Sequence, residues 1–585
     1  MTGNAASRIR RTGFPACPLP FFDPVVSPSS SFRHRDRLES LSYNYPMQKV
    51  LTAAEMREVD RLTTERYGIP SILLMENAAH AVARVITEKL GGSVKGKSIL
   101  ILCGKGNNGG DGAALARILW KDGAQVFAIL AGMLTDALGD AERNFKIFES
   151  IDRDVLTSAG EFNKSGFEEQ NEYLPVRLQG FLSSVDTDVF VDALFGTGLT
   201  TPLKGHLADT VQRLANSGRF VVSIDLPSGL NADSGELIGP AVSSNITVTF
   251  TAPKTANILA PAHRLNGELI VVHIGSPQEL IDEQPSQLFV SDRTDVATWM
   301  RLSAFTPESY KNKRGHALII AGSENYAGAA TLCGNAAIRS GVGLVTIGTP
   351  RSSKDLVGGR VVPEVMVRPL AETGSGAISE EAIAEIEKFS KNIDAIAIGA
   401  GLSTSDESTG RFVRHFVENR TMPTLLDADA LTLMAPFERV GDGPPVILTP
   451  HEGEFMRLLG TDDKEVIKDR VGAVRKFAQE KNVILVLKGE RVLIGEPGGK
   501  VVVNPTGNSG LGKAGNGDTL LGILTGFAAQ AAAMDIDMFE TIVAGVYIAA
   551  LAGDIAAEKF GKRVMTASDT RDCLAEAFRR CEGEN

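Results

Sequence analysis

Cysteine is scarce in this chain of 585 residues. Cys17, Cys103, Cys333, Cys573 and Cys581 are the only five, and they form no Cys-x-x-Cys pair and no cluster with histidine. That excludes a disulfide framework and a zinc centre of ordinary ligand spacing. It reads as free thiols in a reducing, cytoplasmic setting. Basic charge is short as well. The net charge is −11, so neither a nucleic-acid nor a membrane-surface partner is expected. Long apolar runs are also lacking: no stretch is expected to approach the roughly 20 residues that span a bilayer. What remains is ordinary for a globular protein, 43% hydrophobic and 22% charged. The length suits two large domains or three to four smaller ones.

Residues 1–46 stand apart. They hold six arginines (8, 10, 11, 33, 35 and 37), few acids, and prolines at 15, 18, 20, 24 and 28. Arginine and serine enrichment is a transit-peptide trait, but the prolines oppose the amphipathic helix such a peptide needs. A disordered tail is the plainer expectation. Plainer still is a mis-assigned start, with Met47 as the first residue, because ordered patterning begins there.

Thr52-x-x-Glu55 is a capping-box signature, followed by Met56, Val59 and Leu62 at helical spacing. A second helix is expected from Ile72 to Leu90, then a strand from Ser98 to Cys103 and a helix from Ala113 to Lys121. Further strands are expected at 125–130, 188–192, 220–225, 245–250 and 268–273. Residues 276–307 lose the pattern and carry Pro277, Pro285 and Pro307, which places a linker there. A second series of strands follows at 317–321, 344–348, 395–399, 424–427, 446–448 and 484–487. Strands alternating with helices predict α/β architecture with parallel sheets covered on both faces.

Two glycine-rich loops that end in aspartate dominate the rest. The first is Gly104-Lys105-Gly106-Asn107-Asn108-Gly109-Gly110-Asp111-Gly112. It fits the dinucleotide fingerprint, a strand followed by Gly-x-Gly-x-x-Gly and a helix. The acid that should end the next strand is missing, since that strand closes Ala128-Ile129-Leu130-Ala131-Gly132. Hydride transfer with a resident NAD is therefore not indicated. Asp192, Gly196-Thr197-Gly198-Leu199 and Asp225-Leu226-Pro227-Ser228-Gly229 all fall at strand ends, where open α/β sheets bind ligands. Asn108, Asp192 and Ser228 supply oxygen ligands suited to a hard cation, and Asp225 suits acid/base work. Each residue alone also reads as a turn or cap; four at one sheet edge favour function.

The second loop is Gly507 to Asp518. Gly507-x-x-x-x-Gly512-Lys513 imitates a Walker A motif, but Ala514 stands where Ser or Thr must bind magnesium. Gly515-Asn516-Gly517-Asp518 at a helix start is the better reading. Its N–H groups make an anion hole, with Asp518 as the base for a hydroxyl proton. Thr449-Pro450-His451-Glu452-Gly453-Glu454, Asp427-Ala428-Asp429 and Leu487-Lys488-Gly489 follow apolar strands and point to the same place. Capping or a solvated strand end are the bland readings of His451 and Lys488.

Taken together, these motifs resemble the bifunctional NAD(P)H-hydrate repair family, from about Met47 to the C-terminus. The resemblance implies a Rossmann-like three-layer epimerase domain over 47–275. A ribokinase-like, ADP-dependent dehydratase domain would fill 308–585. It implies that Asn107 to Asp111 (Asn107, Asn108, Gly109, Gly110, Asp111), Gly196, Thr197, Gly198, Leu199, Thr200, Thr201 and Pro202 bind the hydrate. Asp225 would be catalytic, and Asn108, Asp192 and Ser228 would hold potassium. In the second domain Asp518 would be catalytic. Ala329, Gly401 and His451 would contact the hydrate. Lys488, Gly489, Glu490, Arg491, Val492 and Gly517 would contact the nucleotide, ADP or ATP, and Mg2+ would accompany it. The implied reaction returns hydrated NADH or NADPH to the reduced coenzyme: epimerisation of the R and S forms, then phosphorylation and elimination on the S form. A homo-oligomer is expected. The chain departs from the family's Thr-Gly-Gly run, having Lys513-Ala514-Gly515 instead. Two other readings are a ribokinase-like hydroxymethyl kinase with an N-terminal nucleotide-binding module, and an N-terminal scaffold without activity.

Overall fold

The computed structural model describes residues 47–151, 156–158, 173–184 and 186–582. The tail or start expected over 1–46 lies outside them. The capping box forms as read: Thr52 accepts from the Glu55 backbone N–H, and Glu55 Oε2 accepts from the Thr52 backbone N–H at 2.8 Å. This fixes the start of helix Ala53–Tyr67.

The first strand, β1 (Gln48–Lys49), joins the second sheet described below. The next seven make a sheet of their own: β2 (Ser98–Cys103), β3 (Gln125–Leu130), β4 (Leu156–Ser158), β5 (Val189–Ala193), β6 (Val221–Ile224), β7 (Ile246–Phe250) and β8 (Glu268–Val272). Their order is β4-β3-β2-β5-β6-β7-β8, and every pairing is parallel. Strands β2, β5, β6 and β7 are buried at every position, as a sheet covered on both faces requires. Helices Ser71–Lys89, Asn107–Lys121 and Gly139–Ile151 cover one face, while Tyr173–Ser183 and Gly205–Ala215 cover the other. Chain order reverses between β2 and β5, which opens a crevice at their carboxyl ends.

The second sheet adds β9 (Leu288–Val290), β10 (His316–Ile320), β11 (Leu344–Pro350), β12 (Met366–Leu370), β13 (Ala395–Ile398), β14 (Thr424–Leu426), β15 (Val446–Leu448), β16 (Ile484–Leu487), β17 (Leu493–Gly495) and β18 (Val501–Val503). Its order is β1-β9-β18-β17-β16-β15-β14-β13-β10-β11-β12. Pairings from β10 to β16 are parallel; the β16-β17-β18 meander and the β1/β9 pair are antiparallel. Helices Ala327–Ile338, Asn516–Met534 and Met538–Phe560 cover one face, and Glu407–Glu418, Glu452–Leu459 and Arg470–Lys481 the other.

Three expectations are revised here. The segment 276–307 is not a bare linker: it carries helix Gln278–Asp282, β9 and helix Arg293–Leu302. Among the described residues one helix, Met538–Phe560, is long and apolar enough to cross a membrane by length and composition, contrary to the sequence expectation. It is apolar all round because it is a core helix, 72% buried inside the protein. Both glycine loops are also shorter than read, because their helices start at Asn107 and Asn516, inside the glycine runs. Cys103, Cys333, Cys573 and Cys581 are free and buried.

Candidate active sites

The first glycine run is helical because it packs backbone on backbone. A Cβ at Gly109 would lie 1.6 Å from the Gly104 carbonyl oxygen, and one at Gly104 would lie 1.9 Å from the Leu194 carbonyl oxygen. No side chain fits between them, so the first turn, Asn107 to Asp111, is pressed against the end of β5. Asn108 and Asp111 are buried there, each 9% exposed. The Asn108 amide nitrogen is buried without a hydrogen-bond partner, a costly state that points to an absent ligand.

Three of the expected residues meet at Gly196. A Cβ there would sit 3.1 Å from Asp225 Oδ2 and 3.3 Å from Asn108 Oδ1. Thr197 and Leu199 are half-buried beside it, and Gly198, Thr200, Thr201 and Pro202 form the exposed rim. Asp225 has φ +66°, a left-handed conformation that a non-glycine residue holds only where its surroundings enforce it. The enforcing partner is Lys254. Its Nζ donates to Asp225 Oδ1 at 2.6 Å, to Thr249 Oγ1 at 2.9 Å and to the Phe250 carbonyl at 3.0 Å. Lys254 is 1% exposed.

Asp192 forms the floor. Ser228 Oγ donates to its Oδ1 at 2.6 Å, while Ser223 Oγ and the Ser228 N–H donate to its Oδ2, both at 2.8 Å. Burial raises the Asp192 carboxyl above its ordinary value, and these donors oppose the rise. Burial lifts Asp111 well above the ordinary range, reinforced by Asp225 and Asp60. Asp60, on the helix Ala53–Tyr67, is raised to about 6 by burial.

The second site lies at the carboxyl ends of β14, β15 and β16. Asp427 follows β14, and Lys488 follows β16 and donates to Asp427 Oδ1 at 2.7 Å. Burial alone would push the Lys488 ammonium down, but Asp427, Glu454 and Asp518 outweigh it and leave it raised. Glu454 Oε2 lies 3.8 Å from Lys488 Nζ. Gly517 faces the pair: a Cβ there would be 3.6 Å from Lys488 Nζ and 3.7 Å from Asp427 Oδ2. Asp518 occupies the first turn of helix Asn516–Met534. Burial first, then the Asp427 charge, raises it to about 6. A carboxylate with that value is suited to accept a proton near neutral pH.

The Asp518 carbonyl accepts from Cys333 Sγ at 3.1 Å, which ties this turn to helix Ala327–Ile338. One turn back on that helix, Ala329 meets Gly401: a Cβ at Gly401 would lie 3.2 Å from Ala329 Cβ and 2.6 Å from Tyr326 Cβ. His451 caps helix Glu452–Leu459, its Nδ1 accepting from the Gly453 and Glu454 N–H groups at 3.0 and 3.3 Å. Lys513, where the family pattern has threonine, donates to the Met565 carbonyl at 2.9 Å and to that of Arg563.

Residues 71–256 match the family described as the YjeF-related protein N-terminus, and 317–575 match NAD(P)H-hydrate dehydratase. The bifunctional NAD(P)H-hydrate repair enzyme of Moorella thermoacetica is 38% identical over 539 residues, covering 92% of this chain and 97% of that protein. This chain belongs to the bifunctional NAD(P)H-hydrate repair enzymes. The member from Thermofilum pendens is 36% identical over 536 residues, 91% of this chain and 96% of its own length. Among solved structures, the ADP/ATP-dependent NAD(P)H-hydrate dehydratase of Bacillus subtilis, co-crystallized with ATP/Mg2+, is 31% identical. It covers 48% of this chain and 97% of its own, with a TM-score of 0.42.

Within this repair enzyme, the stretch 488–492 divides. Lys488 faces the second site. Glu490 and Arg491 instead meet the other half of the chain, where Glu490 pairs with His263 and Arg264. Val492 packs against the core. Sequence reasoning missed Lys254 and Asp60. Lys254 closes Thr251-Ala252-Pro253-Lys254 after an apolar strand, the same signal that marked Lys488. Asp60 stands four residues after Met56 on the buried stripe of its helix, where a carboxylate is out of place.

Proposed function

We propose that this enzyme epimerises hydrated NADH and NADPH at its first site and dehydrates the S form at its second, with ADP as phosphoryl donor. One observation carries the reading: each sheet presents its own lysine–aspartate ion pair at the carboxyl ends of its strands, with Lys254 and Asp427 buried.

At the first site the hydrate's C6 carries a hydroxyl beside the ring nitrogen N1. Protonating that hydroxyl lets water leave as the N1 lone pair forms a C6=N1 iminium. Water returning to the other face inverts the centre and gives the proton back. Asp225 is the acid/base, held by Lys254, and Asn107 to Asp111 with Gly196 to Pro202 enclose the hydrate. The family expects potassium at Asn108, Asp192 and Ser228. The donor set is oxygen, which suits a hard cation, and the unpaired Asn108 amide leaves that side chain uncommitted. A bound potassium supplies positive charge for the oxygen substituent of the hydrate.

At the second site Asp518 takes the proton of the S-hydroxyl, whose oxygen attacks the β-phosphoryl group of ADP. AMP departs with the N–H groups at Asn516 to Asp518 and the Lys488 ammonium facing the developing charge. The C6–O bond of the phosphate ester then breaks, C5 loses a proton, and the C5=C6 double bond of the coenzyme returns. Ala329, Gly401 and His451 contact the hydrate, the backbone of Lys488 to Val492 and Gly517 the nucleotide, and Mg2+ accompanies ADP. We place the enzyme in the cytoplasm as a homo-oligomer acting on small molecules rather than nucleic acid or membrane. The four buried free thiols support a reducing setting.

The test is recovery of NADH absorbance at 340 nm from mixed R and S hydrates with ADP, Mg2+ and K+. Full recovery supports both activities. Recovery of the S fraction alone removes the epimerase. A stable phosphorylated product with no NADH would favour the hydroxymethyl kinase.

A further inference from the structure

The loop after β16 is shaped from outside its own domain. Glu490 extends toward helical turn Ala262–Leu265, which belongs to the first half of the chain. There Arg264 Nε donates to Glu490 Oε1 at 2.7 Å, its Nη2 holds Oε2, and His263 Nε2 lies 2.9 Å from Oε1. Arg491, next in the chain, has φ +59°. Its Nη2 lies 3.0 Å from His263 Nδ1 and its Nη1 donates to the Pro505 carbonyl. From the opposite side Arg470 Nη1 donates to the Glu490 carbonyl at 3.0 Å. A left-handed arginine is unfavourable and persists only when its surroundings over-determine it. Here much of that determination comes from His263 and Arg264.

The same turn is wired to the first site. The Lys254 backbone N–H donates to Asn257 Oδ1 at 2.8 Å, Asn257 Nδ2 to Asn266 Oδ1 at 3.0 Å, and Asn266 Nδ2 to the His263 carbonyl at 3.1 Å. A continuous hydrogen-bonded path therefore runs from Asp225–Lys254 to the loop that begins at Lys488.

We propose that His263 and Arg264, contributed by the epimerase half, are positioning residues for the nucleotide site of the dehydratase half. This rests on the reading of 488–492 as nucleotide-contacting. They touch neither nucleotide nor hydrate; they hold Glu490 and Arg491 so that the Lys488–Gly489 backbone is preset for ADP. Presetting removes an ordering cost from nucleotide binding, and its loss shows in affinity rather than in chemistry.

The full chain carrying Arg264→Ala or His263→Ala tests this, with Arg264→Lys as the conservative variant. The expected result is a KM for ADP raised about tenfold with kcat within twofold, the same loss in direct ADP binding by calorimetry, and an unchanged epimerase rate. Arg264→Lys restores part of the affinity. Arg264 is an exposed surface residue at 60% side-chain exposure, so its variants keep the fold. ADP affinity equal to wild type in both alanine variants would overturn the proposal. A fall in kcat with KM constant would also overturn it. A wild-type chain that binds no ADP would overturn the underlying nucleotide reading, and the proposal with it.

Discussion

Replacing Asp518 with asparagine should abolish dehydration and stabilise the second half of the protein, in a pH-dependent way. The Asp518 carboxyl sits at about 6 in the fold against 3.8 for an ordinary one. At 1.36 kcal/mol per tenfold, keeping it ionised above pH 6 costs the fold roughly 3 kcal/mol, or about 2 kcal/mol once its exposed edge is screened. The sign follows from linkage. The folded value lies above the unfolded one, so the favourable contribution is complete below pH 3.8 and lost as pH rises through 6. Asparagine carries no such penalty. It forfeits a negative charge in the first turn of a helix, worth about 0.5 kcal/mol. The net gain at pH 8 is therefore about 1.5 kcal/mol, and it should vanish as pH falls toward 4. Urea unfolding can be followed through Trp299, which stacks on Phe527 of the same helix at 4.2 Å. The other tryptophan, Trp120, is replaced by phenylalanine in both proteins. In wild type the same carboxyl sets an acid limb: about nine-tenths is ionised at pH 7 and a little under one-tenth at pH 5, so kcat should fall about tenfold. A variant destabilised at pH 8, or a gain that does not change with pH, would refute the argument.

Other outcomes follow from the two sites. Lys254→Met should end epimerisation and cost about 3–5 kcal/mol, because it strands a buried carboxylate. The Lys254→Met/Asp225→Asn double variant should recover most of that stability without activity, read by calorimetry. Gly109→Ala should prevent the first half from folding, since its methyl would fall 1.6 Å from a carbonyl oxygen; native circular dichroism and a wild-type melting profile would contradict this. Ser228→Ala should weaken the potassium dependence of epimerisation, measured by replacing K+ with Na+, while dehydration stays unchanged. His451→Ala should cost about 1 kcal/mol through loss of its helix cap and raise KM for the hydrate.

The buried strands were legible because continuous apolar runs of three to six residues announce a parallel sheet. β2, β3, β15 and β16 fall on their expected residues. Strands β1, β9, β12 and β17 were not legible. They are two to five residues long and stand near sheet edges or in a meander, where pairing rather than composition makes them strands. Helix starts at Asn107 and Asn516 were hidden because glycine is read as a breaker, whereas here it lets backbones touch. The positions of Asp225 after a buried strand and of Asp518 in a first helical turn were legible from their motifs. Lys254 was not, because a lysine 1% exposed contradicts the ordinary expectation for its type. The roles of Glu490 and Arg491 needed the other half of the chain, more than 220 residues away, to become visible.

The path of the backbone has a consequence for any attempt to divide the protein. Among the described residues the chain first enters the second sheet with β1, leaves to build the whole of the first, and returns through β9, which pairs with β1. Topologically the first half is an insertion into the second rather than a bead before it. A fragment starting at 308 would lose two strands and bare the β18 edge, a template for unwanted pairing. Genetic separation of the two activities should therefore succeed only with pieces that keep this seam closed.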